Sequence, residues 1–278
     1  MPIMCAHEAG NSGDLIKHEW LTRVLDWLPP NGSYLDAFAG PTTHPLSVRS
    51  KTRLSAAPME LKLLTEQRPA IRGCSYYGSS LLARNKLAEC HTIHVYDENN
   101  EYGADYENEN IEVESRLEHG LDALGLGDYS LVLIDPDFFF QPHPDKGVLD
   151  ESNEDRLRRF WREVADYPHA LLISLDNEAP QSPHAGRYNL DLDLVQRHRL
   201  IVRCIVPPIA ETGINGEDCC FRELIYLPEA ELNDDLLARW RLSSLRRGAA
   251  AVAETLGLEF RVVPRPTYGK DAVEFIVD

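Results

Sequence analysis

Apolar positions along the chain follow two periods, one typical of amphipathic helices and one typical of buried strands. Between 14 and 28, Ile16, Trp20 and Val24 recur every four residues, which predicts a helix that packs one face on a core. The run 131–134 is continuously apolar and leads into an acid, which is typical of a strand buried on both faces of a sheet. The predicted helices are 14–28, 151–166 and 234–256, and the predicted strands are 33–40, 92–96, 111–113, 131–135, 170–176, 200–206 and 220–227, with two more near Phe260 and Phe275.

The order of these elements predicts the fold class. Strands alternate with helices, and several strands are apolar throughout, which indicates an α/β fold with a doubly wound, mostly parallel sheet covered by helices on both faces. Residues 44–90 interrupt this order after the first strand and have a mostly helical, Arg/Lys-rich pattern. We therefore expect a single domain, 1–278, that carries a helical insertion subdomain at 44–90.

Composition narrows the class of protein. The chain has 43% hydrophobic and 26% charged residues, the profile of a globular protein. No apolar run approaches the roughly 20 residues that span a bilayer, and residues 1–13 do not have the pattern of a signal peptide. The six cysteines include no C-x-x-C pair, which favours reduced thiols. We expect a cytoplasmic protein that does not bind a membrane.

Charge is distributed unevenly along the chain. The net charge is −17, yet residues 1–90 carry a net +2 and residues 91–278 a net −19. The segment 44–90 has eight basic and three acidic residues, a local excess of +5. Such a patch in an acidic protein is a candidate anion-binding surface, although a charged helix face that only keeps the protein soluble remains an alternative.

Acidic residues end three of the predicted strands. Asp36, Asp97 and Asp135 follow the first, second and fourth strands, and ligands of open α/β sheets bind beyond the carboxyl ends of the strands. The glycine turn at Gly40 would let a ligand approach the backbone, and an acid after the second strand, Asp97, could accept hydrogen bonds from ribose hydroxyls. Helix caps or solvated turns are the alternative for each acid.

The segment after the fourth strand combines an acid, a proline and aromatic residues. Asp135, Pro136 and Phe138 could hold a flat base, with the ring stacked on Phe138 and an exocyclic amine bonded to the carboxylate and a backbone carbonyl. One alternative is a proline turn with buried phenylalanines. Another is a D-x-D metal site made by Asp135 and Asp137, although we expect no metal here.

The start of the first helix brings polar residues to the head of its apolar face. Asp14, Lys17 and His18 lie at helical spacing and so share one face. Lys17 could offset negative charge on a ligand. A salt bridge between Lys17 and Asp14 at the rim is the alternative.

Four stretches together resemble a known family, the bacterial 23S ribosomal RNA adenine-N6 methyltransferases of the J type. The first, A-G-N-x-x-D-x-x-K-H at the opening of a helix, is the most specific of the four. In this sequence the stretches are residues 9–18 (AGNSGDLIKH), 34–40 (YLDAFAG), 77–84 (YGSSLLAR) and 133–138 (LIDPDF). In their order and spacing they extend over roughly the first half of the chain.

The resemblance implies a Rossmann-like class I methyltransferase with S-adenosylmethionine as cofactor and RNA, specifically 23S ribosomal RNA, as the partner of the basic insertion 44–90. It implies that Asp135, with the carbonyl of Pro136, orients the target amine and that Phe138 stacks on the base. The residues that it places around the cofactor are Lys17, His18, Phe38, Gly40, Ser79, Asp97, with Asp97 on the ribose, and Asp135.

The sequence departs from the family pattern at several of these positions. Asp137 replaces the second proline of the Asp-Pro-Pro-aromatic motif, Phe38 replaces a histidine, and Pro41 follows Gly40 where the family continues Ala-Gly-x-Gly. Two alternatives therefore stay open. One is a methyltransferase with a different acceptor, and the other is a non-catalytic relative that binds nucleic acid or a protein partner through the insertion.

Overall fold

A computed structural model describes residues 9–96, 102–113, 127–135, 153–177, 200–207, 221–230, 232, 234–264 and 272–278, and the structural statements below concern these residues. The helices are α1 (Ser12–Leu25), α2 (Val48–Ser55), α3 (Leu63–Arg72), α4 (Ser79–Lys86), α5 (Gly103–Asn108), α6 (Asn153–Asp166) and α7 (Asp235–Leu256). The strands are β1 (Ser33–Asp36), β2 (Thr43–Pro45), β3 (Ser75–Tyr77), β4 (Thr92–Val95), β5 (Glu112–Val113), β6 (Leu131–Ile134), β7 (Ala170–Asn177), β8 (Ile201–Val206), β9 (Phe221–Leu227), β10 (Phe260–Pro264) and β11 (Ala272–Val277).

Nine of these strands form one sheet in the order β10-β11-β8-β9-β7-β6-β1-β4-β5. The five strands from β5 to β7 pair in parallel, and their order matches the 3-2-1-4-5 order of a doubly wound sheet. The next strand, β9, is antiparallel to both β7 and β8. Beyond β8, β11 is parallel and β10 antiparallel to its neighbour. The predicted α/β fold with a doubly wound, mostly parallel sheet is confirmed.

Residues of the central strands alternate between two apolar clusters because the side-chain period of a strand is two. Tyr34, Leu131 and Leu133 join the cluster on the side of α1, α4 and α7. Leu35 and Val132 join the cluster on the side of α6. The sheet is thus buried on both faces, which is why its strands are continuously apolar in sequence.

Helix α1 is buried along nearly its whole length. Its N-cap Asn11 accepts a hydrogen bond from the backbone of Asp14, and every residue of α1 except Asp14 is buried. Apolar residues cover one face, and the polar residues on the others are buried against α3, α4 and α7. The helix starts at residue 12 and ends at 25, whereas the apolar period predicted 14–28.

The segment 44–90 contains α2, α3 and α4, as its pattern predicts, but it also contains β3 and most of β2. β2 pairs antiparallel with β3, with Thr43 opposite Tyr77. The side chain of Gln67, on α3, donates to the carbonyl of Tyr77 and accepts from its amide. The prediction of a mostly helical insertion missed this pair because strands of three residues are too short to show a period. That the chain forms one domain with an insertion stays a prediction.

Two further sequence-based expectations concern membranes and thiols. In the part of the chain that the structure describes, no helix is both long and apolar enough to cross a membrane. Cys74, Cys90 and Cys204 are free thiols, and burial raises the pKa of Cys204 well above its usual value.

Candidate functional site

The carboxyl ends of β1, β4, β6 and β7 lie at one edge of the sheet because these strands are parallel. The strand order reverses between β1 and β6, which is the point where doubly wound folds bind ligands. Asp36 closes β1 at this point and Asp135 follows β6. The antiparallel β9 starts where its neighbours end, so its residue Arg222 also lies at this edge.

Asp135 is held between two cations. Lys17 on α1 donates from Nζ to Asp135 Oδ2 over 2.6 Å. Arg222 on β9 donates from Nη1 to Asp135 Oδ1 over 2.6 Å and to the hydroxyl of Ser174 on β7 over 2.8 Å. Four separate elements therefore meet at one carboxylate, and we call Lys17, Asp135, Arg222 and Ser174 the Asp135 clamp.

The charges of the clamp determine its protonation. Burial by itself raises the pKa of Asp135, but the positive charges of Lys17 and Arg222 outweigh burial and hold the pKa well below its usual value. Burial lowers the pKa of Lys17, and the carboxylates of Asp135 and Asp14 outweigh burial there and raise it. Asp135 is therefore a carboxylate and Lys17 an ammonium at any physiological pH.

The start of α1 is shaped to bring Lys17 into the clamp. Gly10 has a left-handed φ of 78°, and its amide donates to the Asp14 carboxylate over 3.1 Å. A Cβ atom at Gly13 would lie 3.0 Å from Nε of Arg222, so the missing side chain leaves room for the guanidinium. The predicted rim salt bridge of Lys17 with Asp14 is present at 3.4 Å. The Asp135 contact is shorter and is the main one.

Asp36 forms a second acidic centre at the end of β1. The hydroxyl of Ser79, at the first position of α4, donates to Asp36 Oδ2, and the amide of Phe38 donates to Oδ1 over 3.4 Å. Burial raises the pKa of Asp36 to about 6, and the hydrogen bond from Ser79 opposes that rise. Asp36 therefore changes charge close to neutral pH, unlike Asp135.

His18 lies next to Lys17 and is buried. Its ring stacks on Tyr76 with centroids 5.3 Å apart, and Nδ1 lies 3.0 Å from the Tyr76 hydroxyl. Burial and the charge of Lys17 lower the pKa of His18 to about 3, so the imidazole is neutral. Its Nε2 is a buried atom without a hydrogen-bond partner among the described residues. A buried polar atom of this kind is satisfied when a ligand or water supplies a partner.

The turn after β1 is open toward solvent. A Cβ built on Gly40 meets no atom within 4 Å, and its carbonyl accepts a hydrogen bond from the Tyr106 hydroxyl. Phe38 is partly buried against the apolar cluster on the α6 side. A ligand could thus approach the backbone at Gly40, while Phe38 contributes to the wall of the sheet edge.

The structure brings together part of the predicted site. Lys17 and Asp135 are in direct contact, and His18 lies beside Lys17. Phe38 and Ser79 both bond to Asp36. The predicted residues Asp97, Pro136 and Phe138 lie outside the described residues, as does Asp137, so their roles stay predictions.

Sequence reasoning missed Arg222 and Ser174. Ser174 is a single polar residue within the apolar run of β7, and Arg222 is followed by Glu223 near the start of the otherwise mostly apolar β9. These polar positions are a weak signal, because the direction of β9 could not be read from the sequence. An antiparallel β9 places Arg222 at its start beside Asp135. A parallel strand would have placed it at the opposite edge.

Comparison with known proteins adds to this description. No protein-family model and no curated protein matches the chain. Among solved structures, protein LPL1258 from Legionella pneumophila str. Philadelphia 1, described by the family model DUF519, is similar over 88% of this chain and 94% of its own, with a TM-score of 0.60 and 14% identity. The M protein of the type I restriction enzyme EcoKI covers 77% of this chain and 43% of its own at 12% identity, and its TM-score of 0.35 is too low to carry an argument.

At 14% identity the likeness to LPL1258 shows the fold alone. A doubly wound sheet with an antiparallel strand between its fifth and sixth parallel strands is a class I methyltransferase-like, Rossmann-like fold. The fold class predicted from sequence is therefore shown, whereas membership of the J-type ribosomal RNA methyltransferase family is not.

Proposed function

We propose that the chain is an S-adenosylmethionine-dependent methyltransferase that methylates a nucleobase amine in RNA, with adenine N6 of 23S ribosomal RNA as the acceptor that the J-type resemblance implies. One observation carries the proposal. An ionised, oriented carboxylate, Asp135, lies beside Lys17 at the point where the strand order of a methyltransferase-like sheet reverses.

The described residues fit S-adenosylmethionine, which carries a carboxylate, an ammonium, a sulfonium and ribose hydroxyls. Lys17 has three N–H donors, and its contacts with Asp14 and Asp135 leave one to face a ligand carboxylate. Asp36 and Asp14 supply negative charge for cationic groups. His18 Nε2 is a buried atom that lacks a partner among the described residues. We infer that Lys17, His18 and Asp36 hold the cofactor together with Phe38, Gly40 and Ser79, and that Asp97 binds its ribose.

The chemistry assigned to this chain is positioning. S-adenosylmethionine, when bound, supplies a methyl group that its sulfonium already activates. Asp135 is too weak a base to remove a proton from an amine, because Lys17 and Arg222 hold its pKa low. Its carboxylate instead accepts a hydrogen bond from the acceptor N–H and so fixes the direction of the nitrogen lone pair. Once the nitrogen carries the methyl group it is cationic and acidic, and it releases its proton to water. Pro136 and Phe138 complete the binding of the base in this proposal. Orientation of two reacting groups alone accelerates a reaction strongly.

The insertion 44–90 is the proposed RNA contact. Some of its basic residues have partners within the protein, since Lys62 and Lys86 both pair with Asp26. Arg68 and Arg72, on the other hand, are exposed on α3. An exposed excess of positive charge attracts the phosphate backbone of RNA without sequence preference.

A second candidate is a protein that keeps the fold but does not catalyse methyl transfer. The Asp135 clamp itself favours it, because both oxygens of the carboxylate already accept hydrogen bonds from cations at 2.6 Å. Such a protein would still bind nucleic acid or a protein partner. It would not transfer a methyl group even when the cofactor is bound.

Calorimetric titration with S-adenosylmethionine tests the cofactor step. We expect the wild-type chain to bind and Lys17→Met to bind at least tenfold more weakly, since Lys17 supplies the proposed contact to the ligand carboxylate. Lys62→Met is the matched control, because Lys62 forms a similar lysine–aspartate pair on Asp26 away from the site. No binding by the wild-type chain at millimolar cofactor would overturn the proposal.

Transfer of a labelled methyl group tests the reaction. We expect unmodified 23S ribosomal RNA to accept label with the wild-type protein and Asp135→Asn to lose that activity while Asp26→Asn keeps it. Digestion to nucleosides identifies the acceptor, and label on N6-methyladenosine supports the proposal. Cofactor binding without label on any RNA would support the non-catalytic alternative instead.

A further inference from the structure

The long helix α7 exposes a face that is basic and aromatic in an otherwise acidic half of the chain. Residues 236–253 include four arginines and no acidic residue, although residues 91–278 have a net charge of −19. Three of these arginines are exposed. Arg246 and Arg247 are neighbours in sequence and lie seven and eight residues, about two turns, after Arg239, which places the three on one side of the helix. We call this side the basic α7 face, made by Leu236, Arg239, Trp240, Ser243, Arg246 and Arg247.

An exposed tryptophan lies among these arginines. Half of the Trp240 surface is accessible, and the neighbouring Leu236 is 74% exposed. Leu236 and Trp240 are four residues apart, so the two exposed apolar side chains are neighbours on the helix surface. Next to arginines, the Trp240 ring is suited to stack on a nucleobase.

The ring of Trp240 is held in place by aromatic side chains on the protein side of α7. Its ring lies 5.6 Å from the ring of Trp27, which in turn packs edge-on to Tyr226 at 5.5 Å. The guanidinium of Arg241 lies 5.4 Å from the Trp27 ring and is fixed by Glu229 over 2.6 Å. Arg241, the buried arginine of α7, thus supports the aromatic cluster. Trp240 presents a pre-oriented ring to solvent.

The basic α7 face adjoins the basic insertion. Arg23 of α1 donates to Ser244 of α7 over 3.3 Å and to the carbonyl of Glu60 in the insertion over 2.8 Å. Helix α2, which carries the exposed Arg49, packs against α7. Helix α7 therefore lies next to the insertion, and both carry exposed arginines.

We infer that the basic α7 face binds single-stranded RNA, with Arg239, Arg246 and Arg247 on phosphates and a base stacked on Trp240. This inference rests on the proposed function and extends it, because it assigns the RNA a second contact besides the insertion. The charge complementarity is local, since a polyanion would be repelled by most of the surface and attracted along α7 and the insertion. Stacking on an aromatic ring is tolerant of sequence, so this face contributes affinity and leaves the choice of base to the site at the sheet edge.

Fluorescence anisotropy with a labelled single-stranded RNA of mixed sequence, measured without cofactor, tests the inference. We expect Arg246→Glu with Arg247→Glu to weaken binding at least tenfold and to reduce the slope of log affinity against log salt by more than 1, since each phosphate contact on a single strand contributes about 0.7. Arg162→Glu is the control, because Arg162 is exposed on α6, which covers the opposite face of the sheet from α7. Equal affinities of the double variant and the wild-type chain would overturn the inference.

The aromatic contact is tested separately. Trp240→Ala is expected to weaken RNA binding about fivefold or more without a change in salt slope, and Trp240→Tyr is expected to restore most of the loss. Melting temperatures of both variants show whether the packing on Trp27 survives. Weaker binding by Trp240→Ala with no recovery in a folded Trp240→Tyr would contradict the stacking role.

Calorimetry with S-adenosylmethionine on the same variants separates the two proposals. We expect unchanged cofactor affinity, because α7 contributes no residue to the Asp135 clamp. Normal cofactor binding and RNA binding that ignores all α7 variants would overturn the inference on α7 and leave the proposed function in place. Absence of any RNA binding by the wild-type chain would overturn the inference together with the RNA part of the proposed function.

Discussion

Two sets of buried charges lie on α1, only two residues apart, and they are built differently. Lys17 belongs to the Asp135 clamp at the sheet edge. Glu19 and Arg23 form an ion pair that faces α7 and the insertion, with Nε of Arg23 2.6 Å from Oε1 of Glu19. The side chains of both residues in this pair are at most 3% exposed.

The Glu19–Arg23 pair is saturated with hydrogen bonds. Glu19 Oε2 accepts from the amide of Leu63 over 2.9 Å, while the remaining Arg23 nitrogens donate to Ser244 and to the Glu60 carbonyl. Each of these partners is a group of the protein that lies outside α1. The pair therefore fastens α1, α7 and the start of α3 to one another.

The cluster around the clamp is not closed in this way. Three carboxylates, Asp14, Asp36 and Asp135, share two cations, and His18 Nε2 lacks a partner among the described residues. The pKa shifts follow the number of cations at each carboxylate and not this difference in hydrogen bonding. Burial outweighs the single cation at Glu19 and raises its pKa, whereas two cations outweigh burial at Asp135 and lower its pKa.

The difference indicates which of the two charge clusters can bind a ligand. A charge cluster whose donors and acceptors are all matched internally has no atom left for a ligand, and the removal of one partner destabilises the fold strongly. A cluster with unmatched atoms costs stability and can recover it on binding. Five substitutions test this distinction.

Breaking the saturated pair has the largest expected effect. Arg23→Met leaves the Glu19 carboxylate buried without its cation, and removal of one partner of a buried pair costs about 3–5 kcal/mol of the free energy of unfolding. Urea unfolding measures this loss. Cofactor affinity of the folded fraction should stay unchanged, and an unfolding free energy within 1 kcal/mol of wild type would contradict the structural role of the pair.

Crowding the same pair from α7 is expected to cost less. A Cβ at Gly248 would lie 2.6 Å from Arg23 Nε and 3.1 Å from Glu19 Cγ. Gly248→Ala therefore forces the guanidinium to move, at about 1–3 kcal/mol, in spite of the better helix propensity of alanine. Thermal unfolding measures the change, with Ala250→Gly as a propensity control on the same helix. An increase in melting temperature would show that the pair is more adaptable than its contacts indicate.

The site cluster is probed by pH. The pKa of His18 is lowered to about 3, so the folded state binds fewer protons than the unfolded state between about pH 3 and 6.5 and becomes more stable as pH rises. The pKa of Asp36 is raised to about 6, so it has the opposite effect between about pH 4 and 6. The two contributions offset each other in that window.

Removal of either group should expose the other. From pH 6 to pH 4, Asp36→Asn should lose stability relative to wild type by up to about 1.4 kcal/mol per pH unit, and His18→Gln should gain by a similar amount. Urea unfolding at several pH values measures both slopes. Parallel curves for the two variants and the wild-type chain would show that these residues do not titrate as their burial dictates.

The smallest effect is expected at Ser174, the clamp residue that accepts a hydrogen bond from Arg222. Ser174→Ala removes the hydroxyl that accepts from Arg222, at about 1 kcal/mol of stability. Because Arg222 and Lys17 still pair with Asp135, we expect methyl transfer to decrease less than with Asp135→Asn. Melting temperature and transfer rate check this, with Ser33→Ala, at the opposite end of β1 from the site, as control. A loss of activity as complete as in Asp135→Asn would make Ser174 more important than a support.

Much of the fold was predictable because burial on both faces leaves a strong mark in sequence. The continuously apolar run before Asp135 and the helical period through Trp20 predicted β6 and α1 with errors of a few residues at their ends. The short strands β2 and β3 were not predictable, since three residues do not define a period and their pairing depends on contacts with Gln67 of α3.

For the site, sequence alone was enough to predict that acids end the strands and that Lys17 and His18 lie on one face of the first helix, because strand ends and helical spacing are local properties. The sharing of Asp135 between Lys17 and Arg222 depends on tertiary structure, because the direction of β9 beside β7 sets which end of β9 lies near Asp135. Tertiary structure also decided the protonation of Asp36 and His18. Burial depends on what packs around a group, and that is settled by residues distant in the chain.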